Sequence, residues 1–197
     1  EYVYGRQVAG KKTKFSEHVH FSKFFPEQII INRELNVDHQ SDFVDHHSEF
    51  FCNNANAALL KETWERFKFD ENIVALEDMM LAKKIKDNNG TILYVPNSEV
   101  IHHHNENFLK IKNRYEREGL ALNLIINQIN FSFVDFLKLF FLNITFDFKE
   151  AFKKKIFLKH FLSILHFRLA MSLGIYLGNL RYKNKNNDFK EIYYFPK

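Results

Sequence analysis

The sequence predicts an α/β body followed by an amphipathic helical tail, and three observations predict it. Short apolar runs bounded by turn residues alternate with stretches of helical period between Tyr2 and Ile126. With 46% hydrophobic and 26% charged residues among 197, the composition is that of a folded chain long enough for one sizeable core. Beyond residue 130 the chain turns Phe-rich and basic while keeping helical spacing. The expected division is a body over residues 1–126 and a tail over 127–197.

Taken in order, Tyr2 to Tyr4 reads as a short strand ending at Gly5. Residues 11–25 set Phe15, Val19, Phe21, Phe24 and Phe25 at helical spacing, and Pro26 stops them. Residues 27–48 read as a long loop with a short helix. Their Asp38, His39, Asp42, Asp45, His46 and His47 are irregularly spaced, which suits a solvated loop better than a metal site. Glu49 to Cys52 suits a buried strand. Asn53, Asn54 and Asn56 make a polar turn, and Ala57 to Arg66 a helix with Leu60 and Trp64 on one face.

Glu77 and Asp78 open the next helix, whose apolar side is Met79, Met80, Ala82 and Ile85. Asn88-Asn89-Gly90 closes it with a left-handed cap. Ile92 to Val95 and Glu99 to His103 read as two short strands around Pro96-Asn97. A helix from Asn107 through Ile126 follows, with a break expected at Gly119.

The tail has its own physics. Its longest uncharged run, Leu169 to Leu180, has 12 residues, short of the ~18–20 that a spanning helix needs. Leu158, Phe161, Leu162, Leu165 and Leu169 make one stripe, while Phe157, Ile164 and Phe167 lie on the other side among Lys159, His160, His166 and Arg168. That pattern fits a helix lying in a headgroup layer with its basic side chains snorkelling, or helices packed on the body or on a second subunit. Residues 181–197 read as a polar end. The net charge of +4 is unevenly placed: Lys149 to Lys197 carry +8, which leaves −4 for residues 1–148. A basic tail behind an acidic body points to an anionic membrane surface as its partner. A nucleic-acid partner is not expected, since the Gly and aromatic patterns of such modules are missing. The single cysteine, Cys52, excludes an intrachain disulfide, suits a reducing compartment and reads as core packing.

Seven segments stand in a particular order: Tyr4-Gly5-Arg6-Gln7, NNANAALLKETW over 53–64, Phe69-Asp70, Glu77-Asp78, Gly90 to Pro96, His102-x-His104-Asn105 and Arg114-Tyr115-x-x-x-Gly119. In that order they resemble the C-terminal half of family 2 inverting glycosyltransferases of the GT-A fold, nearest the rhamnosyltransferase-like members, over about residues 2–122. The resemblance implies a Rossmann-like GT-A half followed by the helical tail. It also implies transfer of a sugar, of the hexosyl or rhamnosyl class, from a nucleotide-sugar donor to a hydroxyl acceptor with inversion. Lipid-linked or polysaccharide acceptors in surface polysaccharide or glycolipid synthesis are the corresponding substrates. The implied location is cytoplasmic, peripheral on the inner face of the plasma membrane.

Carried over residue by residue, the resemblance makes Asp78 the general base and Glu77 the residue that orients the acceptor. Asn53, Asn54, Asn56 and Trp64 become donor or acceptor contacts, and Arg114 a phosphate contact. The late histidines His102 and His104 become ligands of a Mg²⁺ or Mn²⁺ ion that neutralises the departing diphosphate. On a strand those two rings share one face while His103 points away. The helix dipole is expected to hold Asp78 ionised, although a Glu-Asp pair in a first turn also serves simply as a cap. The family's nucleotide-binding strands and Asp-x-Asp motif have no counterpart in this sequence, so the expectation is an acceptor-side fragment whose donor half precedes Tyr2. The competing expectation is a membrane-peripheral interaction module without catalysis.

Overall fold

A computed structural model describes residues 1–31, 50–126 and 130–184. These divide into two compact units. The first comprises Glu1–Lys11, His20–Glu71 and Glu77–His103, and the second Lys12–Val19, Asn72–Leu76 and His104–Lys197. Packing thus groups the helix after His104 with the tail, a different line from the sequence division at 126/127. The chain is mixed α/β with a four-stranded mixed sheet.

In chain order the elements are β1 (Tyr2–Ala9), α1 (Phe15–Phe24), β2 (Ile30–Ile31), β3 (Ala57–Leu59), α2 (Lys61–Arg66), α3 (Glu77–Asp87) and β4 (Ile92–His102). The helices α4 (Phe108–Ile126), α5 (Phe133–Lys153) and α6 (Phe157–Lys183) follow. The sheet order is β2-β4-β1-β3, with β4 parallel to β1 and the two outer strands antiparallel to their neighbours.

In the first unit Tyr2 and Tyr4 alternate along β1 and are buried, as a half-covered strand requires. Tyr4 and Tyr94 meet at 5.1 Å between ring centroids, and Phe51 lies 5.2 Å from Phe24 and 5.7 Å from Phe25. The Phe content therefore serves an aromatic core, where such pairs add about 0.5–1.5 kcal/mol each beyond their burial.

Three strand expectations change. β1 does not stop at Gly5. It continues to Ala9, because Arg6 to Ala9 pair with Glu99 to His102. The two strands expected around Pro96-Asn97 are one strand, β4, with a bulge. Gly5 pairs with Val95 and Arg6 with Glu99, so Pro96, Asn97 and Ser98 loop out of the ladder. Proline has no N–H to give a ladder and favours such an irregularity. Third, no strand forms over Phe50–Cys52, where Phe51 serves the aromatic core instead.

The helix expected from Ala57 begins only at Lys61. Ala57 to Leu59 instead pair with the open edge of β1, Tyr2 opposite Leu59 and Tyr4 opposite Ala57. Leu60 is 56% exposed and Trp64 43%, so the face expected to carry both is open. The short helix and the His/Asp run expected within 27–48 lie outside the described residues, apart from the two-residue β2. As expected, α3 opens at Glu77 and ends in a left-handed cap: Asn89 has φ 60°, Gly90 N donates to Ile85 O at 2.9 Å and Asn89 N to Lys86 O at 2.9 Å.

In the second unit α6 packs against both α4 and α5. Its contact with α4 is close because Gly119, Gly174 and Gly178 lie in it. A Cβ at Gly174 would strike the Lys112 carbonyl, and one at Gly178 the Glu116 carbonyl. α4 therefore runs unbroken through Gly119. Asn123 Nδ2 donates to Asn179 Oδ1 at 2.9 Å inside this contact, so both buried amides find partners. Asp147 of α5 and Arg168 of α6 form a buried bidentate pair with both N–O distances at 2.7 Å. Ser132 and Asp135 close a capping box at the start of α5. By length and composition α6 could cross a membrane, yet half of that apolar stretch is buried inside the protein.

Candidate functional site

The first unit holds the carboxylate that the sequence singles out. Asp78 stands in the first turn of α3, 8% exposed, while its neighbour Glu77 is exposed. Its Oδ2 accepts from Asn54 N at 3.0 Å and its Oδ1 from Met79 N at 2.8 Å. Asn54 lies in the 3-10 turn Asn54–Asn56, whose cap is Asn53, with the Asn53 side chain accepting from Ala55 N at 2.8 Å. Leu76, just before Glu77, takes φ 56°, an uncommon backbone for a leucine and a local cost of ~1–3 kcal/mol.

The electrostatics reverse one expectation. The helix start does not leave Asp78 with an easily ionised carboxyl. Burial, and next the charge of Glu77, push it up to about 6 from an ordinary 3.8, against the pull of the two backbone N–H groups. The carboxyl is still mostly ionised at pH 7 and can take a proton there. Burial also raises the Tyr2 phenol and the Cys52 thiol, with the Asp78 charge adding to both. Cys52 is buried and protonated, the packing role expected of it. Tyr2 Oη donates to Asn54 Oδ1 at 2.5 Å.

Beside this group lies an open cavity of about 560 Å³, lined by Tyr2, Asn54, Ala57, Leu59, Lys61, Trp64 and Phe69. Asp78 sits behind Asn54 at its wall, and Trp64 forms part of its rim with Lys68 Nζ 3.0 Å from the ring centroid. Of the three asparagines, only Asn54 reaches both Asp78 and the cavity. Asn53 is occupied by its own turn. The Asn56 amide donates to Ser98 O at 2.8 Å and clasps the β4 bulge across Gly5, where a Cβ would strike both groups. The sequence signal for that role was the glycine and the proline, not the asparagine.

The second unit holds a separate charged cluster. Arg114 Nη2 lies 2.6 Å from Glu17 Oε1 and 2.9 Å from Glu106 Oε2. His104 Nδ1 lies 3.7 Å from each of the same two oxygens. The His104 imidazole, with Arg114 beside it, lowers the Glu106 carboxyl. Burial opposes the charged form of Arg114, but Tyr115 and then the carboxylates of Glu118, Glu17 and Glu106 outweigh it and hold the guanidinium firmly protonated. Arg114 is thus committed to two carboxylates. Glu17 and Glu106 were absent from the sequence expectation, because Glu17 sits in α1, far away in the chain.

Glu17, His104 and Glu106 each offer a donor atom within 4.8 Å of the others, and two carboxylates with an imidazole suit a hard divalent ion. Two anionic groups against one guanidinium leave a net negative charge, so the donor set fits a cation in kind and in charge. An ion would share the oxygens that Arg114 holds. His102 is not part of this group. It ends β4 with its ring edge-on to Phe21 at 5.9 Å, so the expected pairing of His102 with His104 gives way to His104 with two glutamates. Comparisons with protein-family models, with curated proteins and with solved structures find no match for this chain.

Proposed function

We propose that this chain carries the acceptor side of an inverting glycosyl transfer, with Asp78 as general base, in a GT-A type enzyme that works at a membrane surface. The reading rests on one observation above the others: a buried carboxyl in a first helical turn, raised to about 6, that accepts from the backbone of Asn54, a residue lining a cavity of about 560 Å³. In the step proposed, an acceptor hydroxyl oxygen bonds to the anomeric carbon of a nucleotide sugar while the bond from that carbon to the diphosphate breaks. The electron pair leaves with the diphosphate, and the hydroxyl proton passes to Asp78. Exposed Glu77 orients the acceptor hydroxyl, and Asn54 and Trp64 line its seat. Acceptors of the lipid-linked or polysaccharide kind fit a location on the inner face of the plasma membrane.

In the second unit, taken by itself, a Mg²⁺ or Mn²⁺ ion would be held by His104 with Glu17 and Glu106, where it would supply charge neutralisation for a diphosphate. Arg114 supplies a fixed positive charge at the same cluster. The competing reading, a peripheral interaction module without turnover, draws on the engagement of Asn53, Asn56 and Arg114 within the fold. The two part at Asp78. Asp78→Asn in the full-length protein is expected to cut donor turnover by roughly 10²–10⁴-fold with the circular dichroism spectrum unchanged. Turnover near that of the parent protein would remove Asp78 from the role.

A further inference from the structure

We propose that the turn joining α5 to α6 is an anionic-lipid docking element. In it Phe152, Leu158 and Leu162 enter the acyl boundary, and Lys154, Lys155 and Lys159 meet the lipid phosphates. It deepens the membrane-surface part of the reading above and is independent of the sugar chemistry.

Three observations within the second unit carry it. First, apolar side chains crowd where no packing requires them: Leu158 is 90% exposed, Leu162 67% and Phe152 59%. They continue along α6 through Phe161 and Leu169, the face opposite the one that buries Ile164, Phe167 and Met171. Second, Lys153, Lys154, Lys155 and Lys159 surround this tip, all exposed, against the single carboxylate of Glu150, which Lys153 Nζ meets at 2.6 Å. The excess of positive charge around exposed apolar groups is the complement of a leaflet with anionic headgroups over hydrocarbon. A neutral protein groove would have no use for the lysines, and an acidic one would have none for the exposed leucines among them.

Third, the backbone presents the tip rigidly. Lys155 adopts φ 56°, Lys155 N donates to Phe152 O at 2.9 Å and Ile156 N to Ala151 O at 2.9 Å, a closure whose left-handed position is usually glycine. A lysine kept at a position that favours glycine puts one more cation at the turn. The Phe152 and Phe157 rings stack at 3.9 Å, which stiffens the tip. Such a wedge is pre-organised for insertion, so little ordering is needed on binding.

Flotation with phosphatidylserine–phosphatidylcholine vesicles, set against phosphatidylcholine alone, tests it with neither donor nor acceptor present. The parent protein is expected to float with the anionic vesicles at low salt and less as salt rises. Lys154→Gln/Lys155→Gln/Lys159→Gln should lower that partition by about a hundredfold, at roughly fivefold per lysine. Leu158→Ser/Leu162→Ser should abolish the part that survives high salt. All these positions are exposed, so circular dichroism should stay at the parent spectrum. Since Trp64 is the only tryptophan, Trp64→Phe/Leu158→Trp gives a local reporter, whose emission should shift to the blue and be quenched by brominated lipid.

Asp78→Asn should float like the parent protein, which separates failure here from failure of the catalytic reading. Equal binding by the lysine variant, an unmoved emission, or absence of the parent protein from anionic vesicles would each overturn the proposal. A dimer broken by Leu158→Ser, without vesicle binding, would overturn it in favour of a second copy of the chain.

Discussion

The raised Asp78 carboxyl sets stability and activity against each other, and the size of the conflict can be worked out. The unfolded chain ionises this group near 3.8 and the folded protein near 6. The folded form therefore binds the proton more tightly. Its contribution to stability is fully present below pH 3.8, is lost as pH rises through about 6, and stays lost above. A difference of about two pH units at ~1.4 kcal/mol each makes the loss about 3 kcal/mol. That is a large share of the ~5–15 kcal/mol a domain has.

Asp78→Asn removes the titration but not the whole cost. Both carboxylate oxygens accept a backbone N–H, from Asn54 and from Met79, and an amide has one accepting oxygen to offer. One N–H is left facing an amide NH₂, at a cost of ~1–3 kcal/mol that does not vary with pH. The assay is urea unfolding of the parent protein and the variant at half-unit steps from pH 4 to 8. Their difference should favour the parent protein at pH 4 and decline by about 2 kcal/mol toward pH 7, with equal m-values. On the proposed general-base role, turnover should rise through the same window with an acid limb near 6. A difference that stays flat, or that grows with pH as for an ion-paired carboxylate, would refute the burial argument and the general-base assignment that leans on it.

Other outcomes follow from the packing and the ion pairs. Arg168→Met strands the Asp147 charge with no exposure to water and should cost ~3–5 kcal/mol in urea unfolding, while Asp147→Leu/Arg168→Met should recover most of it. Gly178→Ala would set a Cβ against the Glu116 carbonyl and 2.7 Å from Leu120 N, both backbone, so the melting temperature should fall by several degrees, from ~1–3 kcal/mol of overpacking. Arg114→Gln takes the guanidinium off Glu17 and Glu106 and should tighten Mn²⁺ binding by titration calorimetry; unchanged affinity would show that these carboxylates do not hold the ion.

How much of this was legible in the sequence depended on whether the signal was local. The first turn of α3, its left-handed close at Asn89 and the turn at Asn53–Asn56 are decided by neighbours in the chain, and they form where expected. β3 was not legible, because Ala57 to Leu59 has helical composition and becomes a strand only where the β1 edge offers partners. The site divided in the same way. Asp78 was singled out by the resemblance around it, its helix start alone reading as a cap, and its raised carboxyl was not legible, since the burial that causes it comes from residues brought in by the fold. Likewise His104 was readable as a candidate ligand with Glu106 two residues on, yet Glu17 is joined to them only by packing.

The tail carries this furthest, because α6 is apolar on two sides and periodicity cannot say which one is buried. Leu158, Phe161, Leu162, Leu165 and Leu169 form the cleaner stripe, and that stripe is the open one. What decides against it is small and polar. Gly174 and Gly178 let the opposite side approach the α4 backbone more closely than any leucine could. Arg168, on that same side, finds Asp147 there and nowhere on the leucine stripe. Had the leucine stripe been buried, Arg168 would have faced solvent and Asp147 would have lost its partner, at the several kcal/mol that an unpaired buried charge costs. The glycines and the ion pair thus commit one face of α6 to α4 and α5 and leave the other available. A helix that is apolar all round is therefore not surplus hydrophobicity here: one side builds the unit, and the side left over is the one that any partner of the tail must meet.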